Sequence, residues 1–97
     1  MQNEFRLTVS SKSVNEGFAR VVVSAFVSPL DPTLEELADL KTAVSEAVTN
    51  CIVHGYRDKY GKIYITGRIE DSTVKIIIRD KGCGIDDIQQ AMTPLFT

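Results

Sequence analysis

Two groups of residues in this chain have the types and spacing to do chemistry. Glu46 and Asn50 are four apart, so on a helix their side chains stand on neighbouring turns, about 6 Å apart along the axis, and can act on one object. A carboxylate suits a general base. An amide oxygen is a hard, neutral ligand for Mg²⁺, a cation that usually also holds nucleotide phosphates. On the polar side of an amphipathic helix, such a pair is more often simply solvated. The second group is Asp80-x-Gly82-x-Gly84, directly after Ile76, Ile77 and Ile78. Glycines let a backbone approach a flat ligand closely, and a carboxylate at a strand end can accept a hydrogen bond from an exocyclic amine such as that of adenine. The same pattern also serves as an ordinary turn, and it is neither a dinucleotide Gly-x-Gly-x-x-Gly motif nor a P-loop.

The elements that must position these residues follow from periodicity. Phe5 to Val9 alternates apolar with polar residues, as a half-buried edge or outer strand does. Ser13 to Glu16 reads as a capping box opening a helix that runs to about Val27. On that helix Phe18, Val22, Ala25 and Phe26 form one apolar face. Glu16, Arg20, Val23 and Val27 form a mixed one with the character of a contact surface. After Pro29 and Pro32, Thr33 to Glu36 is a second capping box, and its helix extends to about His54, with Gly55 as the stop. Leu37, Leu40, Val44, Ala47, Val48 and Cys51 make its core stripe, well away from Glu46 and Asn50. Arg57 to Gly61 is a polar loop. Lys62 to Ile69 and Thr73 to Arg79 form an antiparallel hairpin around Glu70-Asp71-Ser72, and Asp86 to Met92 has the composition of a short helix stopped by Thr93-Pro94. This order predicts an α+β fold, a two-layer α/β sandwich with helices on one face of a mixed, mainly antiparallel sheet.

Composition narrows the functions. Ninety-seven residues, 43% hydrophobic and 25% charged, make one ordinary domain spanning 1–97. A formal charge of -2 and a pI near 5.3 offer no basic surplus for nucleic-acid phosphates or an anionic membrane, so neither is an expected partner. No signal peptide or membrane span is read, and Cys51 and Cys83 form neither a disulfide framework nor a metal pair, which suits a cytoplasmic protein. Cys51 is read as a small core residue.

Taken together, Glu46-Ala47-Val48-Thr49-Asn50 with His54-Gly55-Tyr56, then Asp80 to Gly84, in that order around a hairpin, are far more specific than either part. They resemble the asparagine box and first glycine box of the bacterial anti-sigma-factor serine kinases, within the gyrase, Hsp90, histidine-kinase and MutL superfamily and its Bergerat-type ATP-binding fold. The resemblance covers almost the whole chain. It implies an ATP/ADP-binding, Mg²⁺-dependent protein serine kinase that binds and inhibits a sporulation sigma factor and phosphorylates an anti-anti-sigma antagonist. Homodimers are usual in that family. By the same resemblance Glu46 is the general base, Asn50 holds Mg²⁺, Asp80 reads the adenine amino group, and Gly82 and Gly84 shape the base pocket. His54 could lie near the phosphates, or cap the helix end through its dipole. Histidine kinases generally lack a glutamate at the position of Glu46, so its presence favours an oxygen nucleophile, serine or water. Arg20, whose one acidic neighbour at helical spacing is Glu16, is a candidate contact to a protein partner. The family has a lid and further strands beyond the point where this chain ends, so a C-terminally incomplete domain is expected, with Thr97 at the start of the lid as a further nucleotide contact. Two other functions share these residues, an ATPase that hydrolyses ATP and a non-catalytic nucleotide-dependent binding module.

Overall fold

The computed structural model describes residues 1–55, 61–81 and 85–92. Four strands, β1 (Gln2–Ser10), β2 (Lys62–Glu70), β3 (Thr73–Arg79) and β4 (Ile85–Ala91), form one sheet in the order β1-β2-β3-β4. Every pairing between them is antiparallel, so the described strands form a meander. Two helices, α1 (Val14–Val27) and α2 (Leu34–Asn50), cover one face. The result is the expected two-layer α+β arrangement.

The sheet's alternation decides the core. Ile63, Ile65 and Ile69 of β2 and Val74, Ile76 and Ile78 of β3 point to the helices and are essentially inaccessible. Burying an aliphatic side chain of this size contributes about 1.5–3 kcal/mol, so these six side chains account for much of the sheet's hold on the helices. From α2 come Leu40, Val44, Ala47, Val48 and Cys51, as the stripe predicts, with Leu37 half-buried at its edge. Cys51 is 3% exposed, a small core residue. The β2–β3 hairpin turns through Asp71, whose φ of 56° is a left-handed conformation that Asp tolerates better than most residues.

The cap of α2 forms as read: the Glu36 N–H donates to Thr33 Oγ1 at 3.1 Å and the Thr33 N–H donates to Glu36 Oε1 at 2.8 Å. The Ser13 cap does not. Ser13 is itself in a helical conformation, its side chain makes no cap hydrogen bond, and Glu16 instead lies 3.3 Å from Arg20 Nε across one turn. An N-cap hydroxyl reaches the amides of the first turn from an extended backbone, as at Thr33 with ψ 161°, and Ser13 with ψ -28° lacks that geometry.

Three further expectations change. The buried stripe of α1 is Ala19, Val23 and Val27, with Phe26 half-buried, whereas Phe18 and Ala25 are exposed. Residues 18–27 are apolar almost all round, so periodicity does not choose a face, and small or β-branched side chains let α1 approach the sheet. Regular α-helix in α2 ends at Asn50, and Cys51–Gly55 continue as a π-helical turn to the predicted stop at Gly55. Residues 85–91 form a strand, not a helix. Their backbone completes the outer edge of β3, with Ile88 opposite Ile76, and Gln90 Nε2 donates to the Glu36 carbonyl at 3.2 Å. Pairing of an otherwise open strand edge outweighs the modest helical preference of Asp-Asp-Ile-Gln-Gln. Within the Arg57–Gly61 loop only Gly61 is described, and Thr93-Pro94 lies outside the described residues.

Candidate functional site

Helix α2 divides its residues by direction. Ala47, Val48 and Cys51 are held in the core, and this turns Glu46 and Asn50 to the exposed side. There the two side chains line one shallow groove of about 320 Å³ together with Ser45 and Thr49. Ser45 and Thr49 were not singled out from the sequence. Their own spacing of four, in phase with Glu46 and Asn50, was the available signal. The groove therefore offers a carboxylate, an amide and two hydroxyls, which can accept a proton, ligate a hard cation and donate to phosphate oxygens respectively.

Asp80 follows β3 immediately. Ile78 two residues before it faces the helices, and Asp80, only 8% exposed, continues that direction into the buried side of the sheet. An aspartate this covered is unusual on a surface turn. Gln90, which pairs with Val74 at the start of β3, donates to the carbonyl of Glu36 at the start of α2. Helix and strand thus begin at the same end of the molecule. Each carries its candidate ligand, Asn50 or Asp80, at its C-terminal end.

Other candidates are placed less completely. His54 lies in the π-helical turn directly after Asn50, its side chain outside what is described. Gly82, Gly84 and Thr97 lie outside the described residues, as does Cys83. Arg20 sits on α1, in a groove of about 540 Å³ that it shares with Gly17, Val21, Ser24, Ala25 and Lys41 and that is distinct in its lining from the Glu46 groove. Glu16 is its ion-pair partner, as its spacing suggested, and both side chains are partly exposed, so the pair contributes little to stability. Among the described residues no group of three or more His, Cys, Asp or Glu side chains could hold a metal ion. No described helix is long and apolar enough to cross a membrane.

Residues 9–96 match the family described as histidine kinase-like ATPase domain. Similar proteins include an anti-sigma F factor of Thermoanaerobacter sp. (strain X514), 58% identical over 95 residues that cover 98% of this chain and 66% of the relative. The anti-sigma F factors of Geobacillus kaustophilus (strain HTA426) and Bacillus subtilis (strain 168) are 55% and 53% identical over 98 residues, covering all of this chain and 67% of each relative. The chain thus spans about two thirds of the length of these relatives.

Proposed function

This chain belongs to the histidine kinase-like ATPase family, and on that premise we propose that it is the ATP-binding domain, residues 1–97, of a cytoplasmic anti-sigma factor that is also a protein serine kinase. The observation that carries this reading is the groove on α2, where Glu46 and Asn50 stand side by side while Ala47 and Val48 between them anchor the helix in the core. Helix and strand lengths support a single site: α2 runs about 26 Å and β3 about 23 Å from a shared starting end, so their C-terminal ends fall at similar depth.

The donor set fits a magnesium nucleotide. Mg²⁺ takes one or two protein oxygens and fills its octahedron with phosphate oxygens and water, so a lone amide at Asn50, without a dedicated acidic cluster among the described residues, is a suitable ligand. Bound MgATP supplies the phosphoryl group and neutralises the charge that develops during its transfer. Asn50 would hold the metal through its amide oxygen. Glu46, exposed and in the same groove as Asn50, would orient the hydroxyl of a serine substrate and accept its proton, the phosphoryl group coming from ATP with ADP as the leaving group. Asp80 accepts from the adenine amino group, with Gly82 and Gly84 allowing the base to approach and His54 and Thr97 as further contacts to the nucleotide.

Names of the relatives support one partner, a sigma factor. Proteins called anti-sigma F factor bind a sigma factor, and this chain would do the same; the antagonist as phosphorylation substrate and the homodimer rest on the family resemblance alone. Arg20 is the proposed contact to a protein partner, because its groove is exposed and carries a second cation, Lys41. Incubation with labelled ATP, Mg²⁺ and a candidate antagonist tests the reading. Phosphoserine on the antagonist is the expected result; release of free phosphate alone would indicate a hydrolase, and neither product a binding module.

A further inference from the structure

The two flanks of the groove on α2 differ in chemistry. Around the helix axis, Asn50 stands about 40° to one side of Glu46, whereas Thr49 stands about 60° and Ser45 about 100° to the other. The carboxylate therefore separates an amide from two hydroxyls. Thr49 follows Glu46 by three residues, which brings their Cβ atoms within about 5–6 Å. Both side chains are exposed, and Ser45 is half-buried.

The two hydroxyls are also uncommitted. A serine or threonine inside a helix commonly turns its hydroxyl back onto a carbonyl three or four residues earlier. Elsewhere this chain does so: Ser24 Oγ donates to the Arg20 carbonyl at 2.7 Å and Ser28 Oγ to the Ala25 carbonyl at 2.8 Å. Among the described residues, the side chains of Ser45 and Thr49 make no such bond. Their hydrogen-bonding capacity is left for whatever enters the groove that they line.

We infer that Thr49, assisted by Ser45, binds the polypeptide backbone of the protein substrate beside its acceptor serine. This rests on the kinase reading above and adds to it the side from which the acceptor arrives. In phosphoryl transfer the attacking and leaving oxygens are roughly in line, so the acceptor hydroxyl approaches from the side opposite the departing ADP. With the metal and phosphates on the Asn50 flank, an incoming serine reaches Glu46 along the flank that carries Thr49 and Ser45. A neutral hydroxyl both donates and accepts, which suits a peptide N–H or C=O, and it has no charge with which to select acidic or basic side chains. These two residues thus fix the path of the substrate's main chain, and discrimination between sequences falls to other surfaces.

Steady-state phosphorylation of the candidate antagonist at saturating MgATP, with MgATP affinity measured separately by calorimetry, decides it. The proteins are the unaltered chain, Thr49→Val, Thr49→Ser and Ser45→Ala, each first checked for native circular dichroism. Valine keeps the shape of threonine and removes its hydroxyl. Thr49→Val should raise the KM for the antagonist about three- to tenfold, as loss of one hydrogen bond does, with kcat and MgATP affinity unchanged. Ser45→Ala should move KM in the same direction, and Thr49→Ser, which retains the hydroxyl, should stay within about twofold of the unaltered chain. An unmoved KM in Thr49→Val, a loss of MgATP affinity in its place, or a Thr49→Ser variant as impaired as Thr49→Val would overturn the proposal. A chain that leaves the antagonist unphosphorylated removes the kinase reading and this inference with it, whereas phosphoserine formed by Thr49→Val at the original KM removes this inference alone.

Discussion

Glu46 and Asn50 line one groove on the exposed side of α2, while Ala47 and Cys51, each one position further along, face the core. Two consecutive turns therefore carry a chemical side and a packing side in strict alternation. Exposed residues away from caps and cavities change stability by only about 0.5 kcal/mol when replaced, so the chemistry of the groove can be altered while the fold is kept.

Replacing Glu46 by Gln keeps the size and removes the proton acceptor. Phosphoryl transfer to the antagonist should fall about 10²–10⁴-fold, the usual contribution of a general base, with ATP affinity unchanged. Single-turnover phosphorylation together with titration calorimetry measures both quantities. Transfer at the unaltered rate would refute the assignment.

Asn50→Ala should act on the metal rather than on the proton. ATP binding to the unaltered chain should tighten when Mg²⁺ is added, and this gain should largely disappear in the variant, while binding without the metal stays the same. A variant retaining the full Mg²⁺ gain would show that Asn50 is a bystander.

If Asp80 reads an exocyclic amine, Asp80→Ala should weaken ATP about tenfold or more, since the amine is left without its acceptor. GTP, which presents a carbonyl at that position, should lose far less. Parallel losses for ATP and GTP would point to a general disturbance of a buried residue and not to base recognition.

The two helix starts make a stability contrast. Thr33→Ala removes a cap that forms and should cost about 1 kcal/mol; Ser13→Ala removes a hydroxyl that makes no cap bond and should change urea stability by under about 0.5 kcal/mol. Equal losses at both sites would contradict the geometry at Ser13.

Gly67 lies opposite Phe5 in the β1–β2 pair, and a Cβ there would collide with the Phe5 ring. Gly67→Ala should therefore destabilise by about 1–3 kcal/mol, as overpacking does. In a Phe5→Leu background the same change should cost clearly less, and a double-mutant cycle on denaturant midpoints reads the coupling. Additive losses would mean that the ring does not set the requirement for glycine.

Local physics was enough for much of this protein. The Thr33–Glu36 cap, the core stripe of α2, the β2–β3 hairpin and the exposed position of Glu46 and Asn50 were all legible, because each depends on residues within a few positions of one another. Periodicity could not choose the buried face of α1, where apolar residues run almost all round and only the approach of the sheet selects Ala19, Val23 and Val27. Nor could composition foresee that residues 85–91 become a strand, because the open edge of β3 that recruits them is created by chain pairing elsewhere. The folded backbone also decided that Ser13 caps nothing, because its ψ of -28° is helical. Short-range hydrogen bonding and side-chain period are written in the order of residues, whereas the choice between competing surfaces is made by whatever the rest of the chain brings against them.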